Sequence, residues 1–166
     1  MNFVTHLDCA NCGQHYDAHQ VHNLCTACQR PLWVRYDLAA LKKNFPKKAL
    51  FGRPPTIWRY LEMLPVRDPA NIISLTETIT PILETKRFAA ELGLKHLFVK
   101  DESRLPTGSF KSRGMAMAIS KAKEFGISKV AVPTAGNAGG ALAACVVAVV
   151  SFEYPEPPPA FTARTR

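Results

Sequence analysis

The sequence lacks any long hydrophobic segment. The longest apolar run, residues 141–150, has ten residues, about half of what a membrane-spanning helix needs. The N-terminus also lacks a basic region followed by an apolar stretch, which is the pattern of a secretory signal. With 47% hydrophobic residues in 166 positions, the chain has enough apolar material to bury a core. We therefore expect a cytoplasmic chain with no membrane partner.

Acidic residues are scarce in one part of the chain. From Arg30 to Arg59 there are eight lysines or arginines and a single acid, Asp37, and the formal net charge of the chain is +8. A basic run of this kind can mark a nucleic-acid surface. It is more commonly a solvated face, or a face that meets phosphorylated metabolites. We therefore do not expect a nucleic-acid partner.

Glycine is absent after Gly140, and the chain has no G-x-G-x-x-G segment. The lack of a G-x-G-x-x-G segment excludes the dinucleotide-binding fingerprint. Four prolines fall within residues 155–159, and proline disrupts helices and strands alike. Residues 145–166 are therefore predicted to form an aberrant, disordered tail.

Four of the five cysteines have the spacing of a metal site. Cys9 and Cys12 form one C-x2-C pair, and Cys25 and Cys28 form another after a gap of twelve residues. Two such turns aim four thiolates at one point, which is typical of a tetrahedral structural zinc site. Iron is a less common occupant, and two disulfides fit poorly in a reducing cytosol. The nearby histidines are assigned to the surface, because four cysteines already complete the coordination shell.

Lys111 lies at a position where a chemical role explains the presence of a lysine better than packing does. Residues 96–100 have the pattern of a strand, a Pro-Thr-Gly turn follows, and Lys111 opens a helical pattern that Gly126 ends. The apolar face of this helix is predicted to comprise Met115, Ala118, Ile119, Ala122 and Phe125. Open α/β sheets bind ligands where a strand gives way to a helix, and the positive end of the helix dipole disfavours a lysine charge. Lys111 is therefore either a solvated surface lysine or a nucleophile that can form a Schiff base.

A second strand-to-helix turn is predicted one unit later. Residues 129–133 have the pattern of a short strand, and the glycine-rich run 134–140 then opens a helix. Backbone N–H groups at such a turn form an anion site. Asn137 is either a ligand-binding side chain or a turn residue that tolerates unusual backbone angles.

The run PTGSFKSRG, residues 106–114, resembles the lysine motif of pyridoxal-phosphate enzymes with the tryptophan-synthase-like fold. Among these it most resembles the threonine synthase family, although serine and threonine dehydratases carry a similar motif. The resemblance runs from about residue 3 to about residue 144, because one branch of the family has a similar four-cysteine ribbon ahead of its catalytic domain. The chain departs from the family at Leu105, which replaces an asparagine, and at Thr76 and Thr78, which replace glycines beside an acid.

The resemblance implies roles for individual residues. Lys111 would be catalytic and, together with Phe110 and Asn137, would bind pyridoxal 5'-phosphate. The substrate would be held by a second set: Thr134, Ala135, Gly136 and Asn137. The implied reaction converts O-phospho-L-homoserine and water to L-threonine and phosphate, and a homodimer is the oligomeric state considered for the complete enzyme.

The predicted fold is α/β, with an incomplete three-layer pyridoxal-phosphate enzyme unit of the tryptophan-synthase β type behind a zinc-ribbon-like segment. The predicted divisions are the ribbon 1–36, a basic connector 37–75, a partial enzyme domain 76–144 and the tail 145–166. A complete enzyme of this fold needs roughly twice this length, so the chain is predicted to be inactive or impaired as it stands. Two other functions stay open: a dehydratase, and a non-catalytic zinc-ribbon binding module.

Overall fold

The computed structural model describes residues 2–134 and 136–153, which fall into two compact units. The first unit comprises Met1–Ile72 and Ser120–Val130, and the second comprises Ile73–Ile119 and Ala131–Arg166. The boundaries predicted after residues 36 and 75 differ from this division and stay predictions. Within the described residues, no helix is both long enough and apolar enough to span a bilayer.

The first unit is built on a three-stranded antiparallel sheet with the strand order β2–β1–β3. β1 spans Val4–Cys9, β2 spans His15–Tyr16 and β3 spans Leu32–Tyr36. Side chains of β3 alternate between half-buried and exposed positions, as expected for a strand with one covered face. The sheet therefore places Cys9 at the end of β1, where the first cysteine turn begins.

Short helices follow the sheet. Helix α1 spans Leu38–Asn44 and is capped by Asp37, whose Oδ1 accepts from Ala40 N at 2.8 Å. Three 3₁₀ segments come next: Lys47–Leu50, Ile57–Met63 and Pro69–Asn71. The second of these segments has a kink at Tyr60. Arg53 forms a bidentate pair with Glu62 at 2.7 and 2.8 Å, so part of the basic run is neutralised within the unit.

The second unit holds a two-stranded antiparallel sheet and the helices that carry the predicted site. β4 spans Ile82–Glu84 and pairs with β5, Phe98–Lys100. Helix α2, Lys86–Glu91, lies between them in sequence and is followed by Gly93 at φ +67°. A 3₁₀ turn at Glu102–Arg104 leads to helix α3, Lys111–Glu124, whose end is counted with the first unit. The last element is helix α4, Asn137–Glu153.

The mixed α/β character predicted from the sequence is confirmed, but two local expectations are wrong. Residues 129–133 contain no strand, so the glycine-rich turn follows irregular chain. The tail does not begin at 145, because α4 continues without a break to Glu153; residues 154–166 lie outside the described chain. The three-layer arrangement stays a prediction, and both sheets among the described residues are antiparallel.

Candidate functional site

Lys111 is the first residue of helix α3, as the sequence predicts. The turn before it is closed by Gly108 N donating to Leu105 O at 2.8 Å, with Gly108 at φ +68°, a conformation that glycine adopts without strain. Leu105 is buried, so the position where the family has asparagine contributes packing here. The Lys111 ammonium lies 4.4 Å from the ring centroid of Phe110, a cation–π distance. Phe110 itself is 58% exposed, which leaves this pair accessible to a ligand.

Two buried hydroxyls in the same turn have no protein partner. Thr107 Oγ1 and Ser109 Oγ are both shielded from solvent and make no hydrogen bond within the described structure. A buried hydroxyl without a partner costs free energy. Because these hydroxyls lie four and two residues before Lys111, they fit a site completed by a polar ligand such as pyridoxal phosphate.

An ion-pair network ties the start of α3 to the neighbouring segments. Arg113 Nε donates to Glu102 Oε2 at 2.8 Å, and Arg113 Nη2 donates to Glu102 Oε1 at 3.2 Å and to Thr78 O at 2.8 Å. Thr80 Oγ1 donates to the same carboxylate, and Lys100 Nζ donates to Thr80 O at 3.1 Å. Glu102 therefore joins the end of β5, the loop before β4 and the helix that carries Lys111.

The charge state of Glu102 follows from these partners. The Arg113 hydrogen bond, together with that of Thr80 and the nearby positive charges, lowers the pKa of the Glu102 carboxyl to about 2. The carboxylate is thus ionised at neutral pH and holds Arg113 in place. The sequence predicts no role for Glu102, Arg113 or Thr80. The one signal it offers is a charged triplet, Lys100-Asp101-Glu102, at the end of the predicted strand.

The glycine-rich turn is organised by Thr134. Its Oγ1 accepts from Gly136 N at 3.2 Å and from Gly139 N at 3.3 Å. A Cβ added at Gly139 would lie 2.6 Å from Thr134 Cγ2, so an alanine there would force the Thr134 side chain to shift away from the hydrogen bonds it accepts. Asn137 is exposed and is the first residue of α4.

The two predicted halves of the site lie in the same unit. Within the described chain no hydrogen bond joins Lys111 to Asn137. Ala135, one of the four predicted substrate contacts, lies outside the described residues. Each half stands at the N-terminus of its own helix, α3 or α4. The roles of Phe110, Lys111, Thr134, Gly136 and Asn137 stay predictions.

The loop before β4 is held by a buried carboxylate. Glu77 is fully buried, and its two oxygens accept from Ser74 Oγ and from Leu75 N, both at 2.8 Å. Thr76 stands at φ +61°, the left-handed region that favours glycine. The backbone thus keeps, at Thr76, the conformation that a glycine would adopt.

The four cysteines predicted to bind metal come together in the first unit. Their sulfur atoms all lie within 4.8 Å of one another, and the closest pairs are Cys9–Cys28 at 3.3 Å and Cys12–Cys25 at 3.6 Å. All four are free thiols, which is against the disulfide alternative. Four Sγ atoms at these separations fit a tetrahedral ion with metal–sulfur bonds of about 2.3 Å.

The two cysteine turns share one backbone design. The residue after each pair is left-handed, Gly13 at φ +74° and Gln29 at φ +56°. The N–H of each donates to the first cysteine carbonyl of its pair, at 3.2 and 2.9 Å. The Tyr16 hydroxyl, 3.1 Å from Cys25 Sγ, lowers the pKa of that thiol to about 6. A thiolate at neutral pH is the form that binds metal.

Comparison with known proteins finds a family similarity that includes most of the candidate site. Residues 73–148 match the family model described as pyridoxal-phosphate dependent enzyme. This range contains Lys111, the buried hydroxyls, the Glu102 network and the Thr134 turn.

The resemblance to threonine synthases is confirmed as well. The chain is 40% identical over 136 residues to the threonine synthase of Methanocaldococcus jannaschii. The matched residues make up 82% of this chain and 33% of that protein. It is 40% identical over 139 residues to the enzyme of Methanosarcina acetivorans, covering 83% and 33%. It is 44% identical over 86 residues to that of Synechocystis, covering 51% and 22%. The chain thus spans about a third of the length of the first two relatives.

Proposed function

We propose that this chain carries the lysine-bearing part of a threonine synthase, which converts O-phospho-L-homoserine and water to L-threonine and phosphate. The observation that supports it most is Lys111 at the first turn of α3, beside two buried hydroxyls that lack partners. The similarity to threonine synthases, which covers 82% and 83% of this chain in two relatives, favours this reaction over a dehydratase. A non-catalytic ribbon module would leave the family match at residues 73–148 unexplained.

Each residue of the site has a task in this proposal. Pyridoxal phosphate, when bound, supplies the electron sink for the reaction. Lys111 holds the cofactor and moves protons at its Nζ atom, while Phe110 covers the site and Asn137 donates a hydrogen bond to the cofactor. The backbone of residues 134–137 would bind the substrate carboxylate at a helix N-terminus. Arg113 and Glu102 act as positioning residues, because they fix the first turn of α3.

The four cysteines have a structural role in this proposal. Zn²⁺ bound by Cys9, Cys12, Cys25 and Cys28 would link the two turns of the first unit, and such sites contribute folding free energy directly. A cytoplasmic location, which the sequence composition predicts, and a homodimeric complete enzyme, which the resemblance implies, belong to the same proposal.

Cofactor capture tests the lysine assignment in this chain. After incubation with pyridoxal phosphate and borohydride reduction, mass spectrometry should find one covalent addition, at Lys111. Lys111→Ala should remove the addition, whereas the control Lys95→Ala, at an exposed lysine, should keep it. Addition at other lysines with equal yield would contradict the assignment.

The reaction is tested in a chimera. The matching third of the Methanocaldococcus jannaschii enzyme is replaced by this chain, and phosphate release from O-phospho-L-homoserine is measured. We expect release that Lys111→Ala abolishes. Ammonia release from L-threonine or L-serine without phosphate release would instead support the dehydratase.

A further inference from the structure

Two histidines and an aspartate cluster on the outer part of the sheet in the first unit. His6 and Asp8 are two residues apart on β1 and therefore project to the same face of the sheet. His15, on β2, is paired directly opposite Asp8 in the strand register. The cluster thus depends on the pairing of two strands and is not visible as a motif in the sequence.

The three side chains converge on one oxygen atom. His6 Nε2 lies 2.8 Å from Asp8 Oδ1, and His15 Nε2 lies 3.3 Å from the same oxygen. The two imidazole centroids are 4.4 Å apart, and all three ligand atoms fall within 4.8 Å of one another. Bonds of about 2.0–2.2 Å from one metal ion to imidazole nitrogen and carboxylate oxygen give separations of this size.

The surrounding groups leave the converging atoms free to bind. Thr5 Oγ1 is 2.9 Å from His6 Nδ1, and a hydrogen bond there orients the ring and presents Nε2 to a metal ion. Arg35 Nε donates to Asp8 Oδ2 at 2.5 Å, which occupies the other carboxylate oxygen. Asp8 Oδ1 is buried, and the two imidazole nitrogens are the polar atoms that the described structure places beside it.

We propose that His6, Asp8 and His15 bind a second divalent transition-metal ion, distinct from the four-cysteine site. Imidazole and carboxylate ligands suit Zn²⁺, Co²⁺ and Ni²⁺, and three protein ligands leave a position for water. The ion would join β2 to β1. This link matters because β2 has only two residues, His15 and Tyr16, and the turn at Cys12 lies between the two strands.

Cobalt titration of the full chain tests this proposal. The four cysteines are first loaded with one equivalent of Zn²⁺, and Co²⁺ is then added. We expect one equivalent of Co²⁺ to bind, with visible bands of nitrogen and oxygen coordination and no thiolate-to-cobalt band. A thiolate-to-cobalt band would show that Co²⁺ had displaced zinc from the cysteines. The absorption spectrum therefore distinguishes binding at the two sites.

Variants of the cluster identify its ligands. His15 is 70% exposed, so His15→Asn should fold normally and weaken Co²⁺ binding by at least about tenfold. The matched control is His96→Asn, because His96 Nδ1 lies 2.9 Å from Glu84 Oε1 in a histidine–carboxylate pair without a second histidine. Thr5→Val, which removes only the group that orients His6, should weaken binding by about 10- to 100-fold. Failure of the wild-type chain to bind Co²⁺, or unchanged binding by His15→Asn, would overturn the proposal.

Discussion

The pair between Arg113 and Glu102 gives the sharpest prediction about stability. Arg113→Gln removes three donated hydrogen bonds, two to the Glu102 carboxylate and one to Thr78 O. It leaves a carboxylate that is only 23% exposed with its main partner gone. Since this pair links the end of β5 to the first turn of α3, its loss should also loosen the backbone around Lys111.

The magnitude follows from the pKa of Glu102, which falls from 4.5 to about 2 in the folded chain. The full shift corresponds to about 3 kcal/mol, and solvent screening at a partly exposed pair reduces the expected contribution to about 1–2 kcal/mol. A lowered carboxyl pKa stabilises the fold above the unfolded pKa, and the stabilisation is lost as the pH falls through the folded pKa. The contribution of the pair is therefore complete at pH 7, and roughly half or more of it is gone by pH 3.

Urea unfolding of wild type, Arg113→Gln, Glu102→Gln and the double variant at pH 7 forms a double-mutant cycle. We expect a coupling free energy of about 1–2 kcal/mol at pH 7 that shrinks as the pH approaches 3. Arg104→Gln is the control, because Arg104 pairs with Asp101 at 3.1 Å but is 73% exposed, and it should cost less than about 0.5 kcal/mol. A coupling energy that is zero at pH 7, or independent of pH, would refute the reasoning.

Two further predictions concern the cysteine cluster and the glycine-rich turn. The purified chain should hold about one metal ion at the four cysteines. Cys25→Ser should release the ion and expose the first unit to proteolysis, whereas the control Cys145→Ser should do neither. Full metal content in Cys25→Ser would contradict the four-cysteine site. Gly139→Ala should destabilise the second unit by about 1–3 kcal/mol in urea unfolding, because the new Cβ meets Thr134 Cγ2 at 2.6 Å. Gly140→Ala, which meets nothing within 4 Å, should instead stabilise α4 by about 0.5–1 kcal/mol, and equal effects of the two variants would exclude the clash.

Local patterns in the sequence predicted the elements that carry the candidate site. The helix from Lys111 ends as predicted, with Gly126 at φ +68° and Ile127 N donating to Ala122 O at 2.9 Å. The cysteine spacing predicted the two cysteine turns for the same reason, because each is closed by its own backbone hydrogen bond, Gly13 N to Cys9 O and Gln29 N to Cys25 O. Features fixed by near neighbours in the chain are the ones that sequence patterns report.

Features that depend on distant neighbours were missed. On α3 the most buried residues are Ser112, Ala116, Ile119 and Ser120, while Ala118 is exposed, so the buried face is rotated from the predicted apolar face. Apolar periodicity cannot identify this face, because two of its positions are serines. The Ser112 hydroxyl donates to Ser109 O at 2.8 Å, which lets a polar side chain be buried without cost to its hydrogen bonding.

Thr76 shows how a departure from the family pattern is accommodated. A β-branched residue in the left-handed region carries strain of about 1–3 kcal/mol, so the surroundings of Thr76 must hold the loop in this form. Thr76 N donates to Ser74 Oγ at 3.1 Å, and the same Ser74 hydroxyl donates to the Glu77 carboxylate at 2.8 Å. Glu77, fully buried, also accepts from Leu75 N. The carboxylate thus fixes the residues on both sides of Thr76, and the loop keeps the path that brings Thr78 O and Thr80 Oγ1 to the Arg113–Glu102 pair. The strained residue is therefore held by a buried carboxylate, and the loop still supplies two of the hydrogen bonds around the pair that positions Lys111.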